Sequence, residues 1–149
     1  MLDRWHQLVF SFQRCYYPVG YRKGAEAERE LMRMLWERGV AVVRSAGSGS
    51  SNAPDVVAVA NGRTVAFECK AWSREILTVR REQYEKMVEW SVRAGAPVYL
   101  AWKYPRNGWF FVPLEYMEER ERYYSIRLDD VRRLTTTLDV ILGRQEVLF

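Results

Sequence analysis

The residues best suited to chemistry in this sequence are Asp55 and the run Glu68-Cys69-Lys70, which follows after twelve intervening residues. Side chains alternate along a strand, so Glu68 and Lys70 would share one face while Cys69 points to the other. Between the two motifs, Asn61-Gly62 is a strong two-residue hairpin signal. Such a hairpin brings Asp55, at the start of one strand, close to Glu68 at the end of the other. We therefore expect two carboxylates and an ammonium group at one end of a sheet.

Paired carboxylates suit a hard cation such as Mg²⁺, which takes oxygen ligands, usually one or two carboxylates with water and substrate phosphate. The cation would polarise a phosphoryl oxygen and lower the pKa of bound water. Lys70 can position that water or offset the developing charge, and the backbone carbonyl of Cys69 offers a further ligand. The alternative is an ordinary surface ion pair between Glu68 and Lys70, which the short motif taken alone favours. Because the hairpin would bring Asp55 close to Glu68, we favour the metal site over the surface ion pair.

Three further features precede these motifs. Glu28 shares a helical face with the leucines three and seven positions on, at the edge of a buried stripe, where a carboxylate usually only packs its stem. Arg44 ends a hydrophobic strand, and on a buried face it needs an anionic partner, either a protein carboxylate or a phosphate. The Gly/Ser-rich loop 46–54 is either a plain connector or a segment whose amides and Ser48 follow a phosphodiester.

The elements that would carry these residues follow from hydrophobic periodicity and turn signals. Helices are predicted over 25–38, 78–93 (capped by Thr78) and 129–143, and strands over 40–44, 55–60, 63–70, 98–102 and 109–112. The order α-β-β-β-α-β-β-α indicates an α/β domain with a central mixed β-sheet flanked by helices. Residues 1–22 are interpreted as an aromatic-rich N-terminal extension, and residues 23–149 as one domain.

Composition narrows the class of protein. The 149 residues, 48% hydrophobic and 28% charged, are typical of one globular domain. No run approaches the roughly 18 apolar residues of a membrane span, the N-terminus does not resemble a signal peptide, and two cysteines do not indicate a disulfide framework. We expect a cytoplasmic protein with no membrane partner. His6 is the only histidine, which disfavours His-based triads and zinc sites.

The charge balance is basic. Lys and Arg number 23 against 19 Asp and Glu, for a net charge of +4. The excess is modest, and a solvated surface explains it as well as nucleic acid does. Arginines nevertheless cluster along the chain among Trp and Tyr residues, a composition compatible with binding to a phosphate backbone.

Aromatic residues are numerous, with six Trp and six Phe. Four of them, Trp102, Trp109, Phe110 and Phe111, fall on late strands and cannot all face one small core. We expect some of this apolar surface to be buried between two subunits. The alternative is a monomer that covers these aromatics with its own N-terminal extension or C-terminal helix.

Six motifs occur in a fixed order along the chain: Lys23-Gly24-Ala25-Glu26-Ala27-Glu28-Arg29-Glu30-Leu31, Val42-Val43-Arg44, Gly47-Ser48-Gly49-Ser50, Pro54-Asp55-Val56-Val57, Glu68-Cys69-Lys70 and Val79-Arg80-Arg81-Glu82-Gln83. In this order they resemble the archaeal Holliday junction resolvases, from about residue 23 to residue 112. The resemblance implies a restriction-endonuclease-like core, a homodimer, Mg²⁺ dependence with Mn²⁺ able to substitute, and paired nicks in four-way DNA junctions during recombination and repair. Residues 1–20 have no counterpart, and residues after 114 follow the family only loosely.

The resemblance also implies roles for individual residues. The catalytic residues would be Glu28, Arg44, Ser48, Asp55, Glu68, Lys70 and Gln83, and the metal ligands would be Glu28, Asp55, Glu68 and the backbone carbonyl of Cys69. Together with the basic clusters, it leads us to expect DNA contacts from Arg22, Lys23, Arg44, Ser48, Ser50, Arg74, Arg80 and Arg81.

Two other functions remain open. A related nuclease acting on other DNA would use the same metal site, because a scaffold does not set its substrate. A non-catalytic junction-binding protein is the other alternative, and the carboxylates Asp55 and Glu68 argue against it, since a pure binding module does not need them beside DNA. A metal-free RNA endonuclease is disfavoured because the lone His6 lies outside the core.

Overall fold

Two β-sheets and four α-helices make up this computed structural model, which describes residues 19–45, 52–134 and 136–143, with side chains from residue 23 onward. The helices are α1 (Val19–Glu37), α2 (Arg81–Ala94), α3 (Leu128–Arg133) and α4 (Leu138–Ile141), with a 3₁₀ turn over Leu114–Tyr116. The strands are β1 (Ala41–Arg44), β2 (Val56–Ala60), β3 (Arg63–Ala71), β4 (Ile76–Arg80), β5 (Val98–Tyr104), β6 (Gly108–Pro113), β7 (Glu118–Glu119) and β8 (Tyr123–Arg127). None of the described helices is long and apolar enough to cross a membrane.

The larger sheet has five strands in the order β1-β2-β3-β5-β6. Only β3 and β5 run parallel, so the sheet is mixed, as predicted. The β2–β3 hairpin turns through Asn61 and Gly62, which both have positive φ, 50° and 73°. Both central residues of a type I′ turn need positive φ, and this turn suits the right-handed twist of the strands. The turn pairs Ala60 with Arg63 and, at the far end, Val56 with Phe67.

Both faces of this sheet are covered. On one face, α1 and α4 pack over a cluster that includes Leu31, Phe67 and Phe111. On the other, α2, α3 and the smaller sheet pack over a cluster that includes Leu77 and Trp102. The sequence of a strand that is buried on both faces is a nearly continuous run of apolar residues, as in β5.

The late-strand aromatics therefore divide between the two cores. Trp102 is fully buried and Phe111 is 5% exposed, and they belong to opposite clusters. Phe110 and Trp109 are half-buried and pack against the edges of the same two clusters. The two cores thus cover Trp102 and Phe111 within one chain, while burial of the partly exposed Trp109 and Phe110 between two subunits stays a prediction.

The smaller sheet, with the order β4-β8-β7, was not predicted. Thr78, expected to cap a helix, lies in β4 and pairs with Ser125 of β8, so α2 begins only at Arg81. The predicted C-terminal helix is divided into α3 and α4, and Thr137 caps the second by accepting a hydrogen bond from the Val140 N–H at 3.3 Å. At the other end, α1 begins at residue 19 rather than 25, so residues 19–22 belong to it.

Candidate active site

Asp55 and Glu68 lie beside each other at one end of the inner strands β2 and β3 of the larger sheet. Asp55 comes directly before β2, and the register that pairs Val56 with Phe67 sets Asp55 against the next residues of β3. Its Oδ2 accepts a hydrogen bond from the backbone N–H of Cys69 at 2.8 Å. Its own carbonyl accepts one from the N–H of Ser45 at 3.0 Å. The Asp55 carboxylate is thus fixed by the strands on both sides of it.

Glu68 is the more buried of these two carboxylates, with 9% of its surface exposed. Lys70 Nζ donates to its Oε1 at 3.3 Å, and Gln83 Nε2, from α2, donates to the same oxygen at 2.5 Å. A carboxylate buried this far is costly without such partners. Lys70 and Gln83 therefore stabilise the charge and orientation of Glu68.

The two carboxylates repel each other. Burial, together with the nearby charge of Glu68, raises the pKa of Asp55 to about 7, although the Cys69 N–H opposes the shift. Burial also raises the pKa of the Cys69 thiol, which packs into the α1-side core away from the carboxylates. Lys70 therefore does not fully neutralise the pair. Two adjacent carboxylates that lack a full counter-charge fit a hard divalent cation, which prefers this donor set.

Glu28 and Arg44 form a separate pair. Arg44 reaches Glu28 Oε2 with both Nε and Nη2 at 2.7 Å. Of the two partners expected for Arg44, the structure thus supplies the protein carboxylate. The face that carries Arg44 is less buried than predicted, since 42% of its side chain is exposed.

The predicted three-carboxylate metal site is not assembled as expected. Within residues 19–45, 52–134 and 136–143, no three or more His, Cys, Asp or Glu side chains gather into a metal-holding group. Asp55 and Glu68 form the acidic pair, while the Glu28 carboxylate is held by Arg44. The reason is local: the arginine at the end of β1 reaches α1 and pairs with the acid there.

A cavity of about 350 Å³ opens over the acidic pair. Asp55, Glu68 and Gln83 line it, together with two cations, Arg80 and Lys86, and a third carboxylate, Glu82. Lys86 was missed in the sequence, although its position three residues after Gln83 puts both on one face of α2. Its Nζ lies 3.1 Å from Glu82 Oε1, and 40% of its side chain is exposed. The cavity thus has an acidic floor, and its rim carries Arg80 and the Lys86–Glu82 ion pair.

Arg81, expected to contact DNA, is instead engaged inside the protein. Its guanidinium donates to Glu119 at 2.7 Å and to the carbonyl of Glu121 at 3.1 Å. It also lies over the ring of Tyr124, 5.3 Å from the centroid. Arg81 therefore ties α2 to the segment around β7 and β8.

The other residues expected to contact DNA are dispersed. Lys23 is exposed on α1, and Arg74 lies over the ring of Trp72, outside the cavity. Arg22 belongs to α1, and Ser48 and Ser50 lie outside the described residues.

Glu30, on α1, is a further acidic residue with partners in the larger sheet. It is half-buried and accepts hydrogen bonds from Lys103 of β5 and from the Trp109 indole. The bond from Lys103 lowers the pKa of Glu30. This pair joins α1 to the larger sheet and does not line the cavity.

The fold is that of the restriction-endonuclease-like class of nucleases: a mixed five-stranded sheet with paired carboxylates at one end of its inner strands. A bacterial homing endonuclease superposes on the chain with a TM-score of 0.53 at 12% identity, over 85% of this chain and 88% of the other, a likeness in fold alone.

Similarity in sequence narrows the class to one family. The model of the archaeal Holliday junction resolvases (Hjc) matches residues 19–145, and the chain belongs to this family. The match extends beyond residue 112, where the resemblance by motifs ends. The crossover junction endodeoxyribonuclease Hjc of Archaeoglobus fulgidus is 39% identical over 70% of this chain and 78% of the relative. That of Methanocaldococcus jannaschii is 40% identical over 62% of this chain and 68% of the relative.

The fold agrees with this assignment. The structure of the Holliday junction resolvase Hjc from Archaeoglobus fulgidus superposes with a TM-score of 0.74 at 31% identity. The superposition covers 83% of this chain and 98% of the other.

Proposed function

We propose that this protein resolves four-way DNA junctions in the cytoplasm by paired, metal-dependent nicks, as part of DNA recombination and repair. The observation that carries the proposal is the cavity, in which Asp55 and Glu68 form an acidic floor beneath Arg80 and Lys86. An acidic pair can hold a cation, and the two cations of the rim can receive the phosphates that this cation must meet. In a chain of the resolvase family, this combination points to hydrolysis of a phosphodiester.

The metal ion would be Mg²⁺, with Mn²⁺ as a substitute, held by Asp55, by Glu68 and by the backbone carbonyl of Cys69. Bound there, the ion would polarise the scissile phosphate and lower the pKa of the attacking water. Lys70 and Gln83 both donate to Oε1 of Glu68, so we assign the other oxygen, Oε2, to the cation. The Cys69 N–H holds Asp55 in position for the same task.

Lys70 would act on the reaction itself. Its ammonium group is held 3.3 Å from Glu68 and is half-buried, so its charge is screened less by water than that of a surface lysine. There it can orient the attacking water and stabilise the negative charge that develops on the phosphate. Gln83 serves by fixing Glu68 and is therefore a positioning residue.

Arg44 would bind a phosphate of the cleaved strand, because its guanidinium is partly exposed and already oriented by Glu28. Glu28 is then a positioning residue for Arg44, and a direct role as third metal ligand stays a prediction. Ser48 and Ser50 remain expected DNA contacts of the loop.

A nicking assay on a synthetic four-way junction with strand-specific labels tests the reaction. We expect symmetric nicks in two opposing strands with Mg²⁺ or Mn²⁺ and none with EDTA. A linear duplex of equal sequence is the matched substrate, and its preferential cleavage would favour a nuclease for other DNA. Tight binding without any cleavage under either metal would favour a non-catalytic junction-binding protein.

Metal binding can be measured without activity. Mg²⁺ should raise the melting temperature of the wild type and should not raise that of the Asp55→Asn variant, because ligand binding to the folded state stabilises it. Equal stabilisation of both proteins would remove Asp55 from the metal site.

We further propose that the protein acts as a homodimer. A junction needs two symmetric nicks, and a two-fold dimer brings two cavities to a fixed separation. The exposed apolar side chains available for an interface include Trp36 and Val92, which are 71% and 77% exposed. Sedimentation at micromolar concentration is expected to give the mass of two chains. A strict monomer that still makes paired nicks would contradict the proposal.

A further inference from the structure

We propose that the outer face of β4 and β8 binds the phosphate backbone of a DNA arm as it leaves the metal cavity. The inference rests on the proposed action on DNA and assigns it a second contact surface, distinct from the cavity itself. We call this surface the β4–β8 groove; it is lined by Trp72, Arg74, Glu75, Ile76, Thr78, Glu118, Arg120, Tyr123, Ser125, Ile126 and Arg127. Its volume of about 760 Å³ exceeds that of the metal cavity.

The groove is continuous with the metal cavity. Along β4, Leu77 and Val79 are buried, whereas Ile76, Thr78 and Arg80 are exposed on the opposite face. Arg80 lines the metal cavity and pairs across the sheet with Tyr123, which lines the groove. Directly paired residues project from the same face of a sheet. Arg80 is therefore the point at which the two surfaces meet.

The charge of the groove favours a polyanion. Arg120 is neutralised within the groove, because its Nη2 donates to Glu118 at 2.6 Å. The remaining charged residues of the groove are the cations Arg74 and Arg127 and the anion Glu75, which leaves a net positive charge. Arg80 adds a cation where the groove meets the metal cavity, and Arg127 pairs with Ile76 at the far end of β4.

Arg74 is oriented before any ligand binds. Its guanidinium lies 5.6 Å from the centroid of the Trp72 ring. The indole is fixed in turn, since its Nε1 donates to the carbonyl of Ile76 at 2.8 Å. A cation held over an aromatic face loses less conformational freedom when it binds a phosphate. The Trp72–Arg74 pair is thus suited to an anion rather than to an apolar ligand.

The length of the groove suits a DNA backbone. From Arg80 to Ile76 the strand advances four residues, or roughly 13 Å at about 3.3 Å per residue. Duplex DNA rises about 3.4 Å per base pair along each strand. The exposed face of β4 would therefore follow an arm for about four base pairs beyond the cavity.

The test is a double variant, Arg74→Ala with Arg127→Ala, compared in DNA binding with Arg33→Ala/Arg93→Ala. The control pair removes the same charge from exposed positions on α1 and α2 that line neither the cavity nor the groove. Affinity for a labelled junction and for a linear duplex is measured by anisotropy in EDTA, so that no cleavage occurs. The double variant should bind both DNAs about 10- to 100-fold more weakly. Its log–log salt slope should be shallower by about 1.8, roughly 0.9 for each lost contact.

Two further variants control for structural damage. Arg74→Lys/Arg127→Lys keeps the charge and should retain the salt slope, and Arg74→Gln/Arg127→Gln keeps much of the side-chain stem and should reproduce the loss. Affinities equal to those of the Arg33/Arg93 control would overturn the groove, even if the wild type nicks junctions normally. If the wild type nicks no DNA but the groove variant still binds DNA more weakly than the control pair, the groove proposal is sustained and the proposed function is overturned instead.

Discussion

The acidic pair and the β4–β8 groove place their charges in opposite environments. On the larger sheet, Glu68 is 9% exposed and Asp55 is half-buried, and a lysine and a glutamine hold the first of them. In the groove, Arg74 and Arg127 are exposed to water. Charges interact more strongly where water is excluded, and salt screens exposed charges far more than buried ones.

This difference separates two kinds of contribution. At the acidic pair, a single charge or a small displacement should change the rate of the proposed reaction, because each group would act at short range on one centre. In the β4–β8 groove, each arginine adds a small and similar amount to affinity, and salt removes it. Substitutions on the larger sheet should therefore act on rate, and substitutions on the smaller sheet on binding.

The largest expected effect is at the acidic pair. Asp55→Asn or Glu68→Gln should lower the nicking rate by roughly 10²–10³-fold or more, since each removes a charge that holds the cation. Junction affinity should stay the same or increase slightly, because the same charge repels phosphate. Single-turnover nicking and anisotropy measure the two quantities, with Glu37→Gln on exposed α1 as control. Full activity in both variants would remove the proposed site.

A smaller effect is expected at two lysines, Lys70 beside Glu68 and the more exposed Lys86 at the rim of the cavity. Lys70→Ala should lower the nicking rate at saturating junction by about 10²-fold, with little change in affinity, because its role lies in the transition state. Lys86→Ala should weaken binding and retain most of the saturated rate. If Lys70→Ala lost affinity alone, Lys70 would belong with the phosphate contacts instead.

The smallest expected effect concerns stability without metal. Because the pKa of Asp55 is raised to about 7 in the folded protein, folding favours its protonated form. That stability is present below the ordinary pKa of an aspartate and is lost as the pH rises through 7. In EDTA, Asp55→Asn should therefore raise the melting temperature by about 5 °C or more at pH 8, and by less at pH 5. Asp130→Asn, exposed on α3, should show no such difference; an equal gain at both pH values for Asp55→Asn would contradict the shift.

The larger sheet could be predicted because its signals are local. The Asn61-Gly62 turn fixes the β2–β3 register, and the long apolar runs of β3 and β5 need no knowledge of their partners. The smaller sheet could not be predicted in this way. Its five-residue strand β4 pairs with β8, which lies beyond α2, β5 and β6 in the chain, and Thr78 has the residue type of a helix cap as well as of a strand.

The same contrast holds for the candidate site. The proximity of Asp55 to Glu68 could be predicted from one turn and from the alternation of side chains along a strand. The pairing of Arg44 with Glu28 was one of two alternatives, since sequence alone does not say whether the anion is protein or phosphate. The internal role of Arg81 depends on acceptors at Glu119 and Glu121, which only the fold brings near.

The turn at Asn61-Gly62 gives the active site a dependence on chain length. Its second residue, Gly62, lies six residues before Glu68, roughly 20 Å away along β3 at about 3.3 Å per residue. Yet a one-residue slip between two strands exchanges their faces. An insertion or deletion in the turn that shifted the register would direct Phe67 and Cys69 toward the cavity and turn Glu68 and Lys70 into the apolar core. In the proposed mechanism, cleavage would therefore depend on the number of residues in this turn as much as on the identity of the carboxylates.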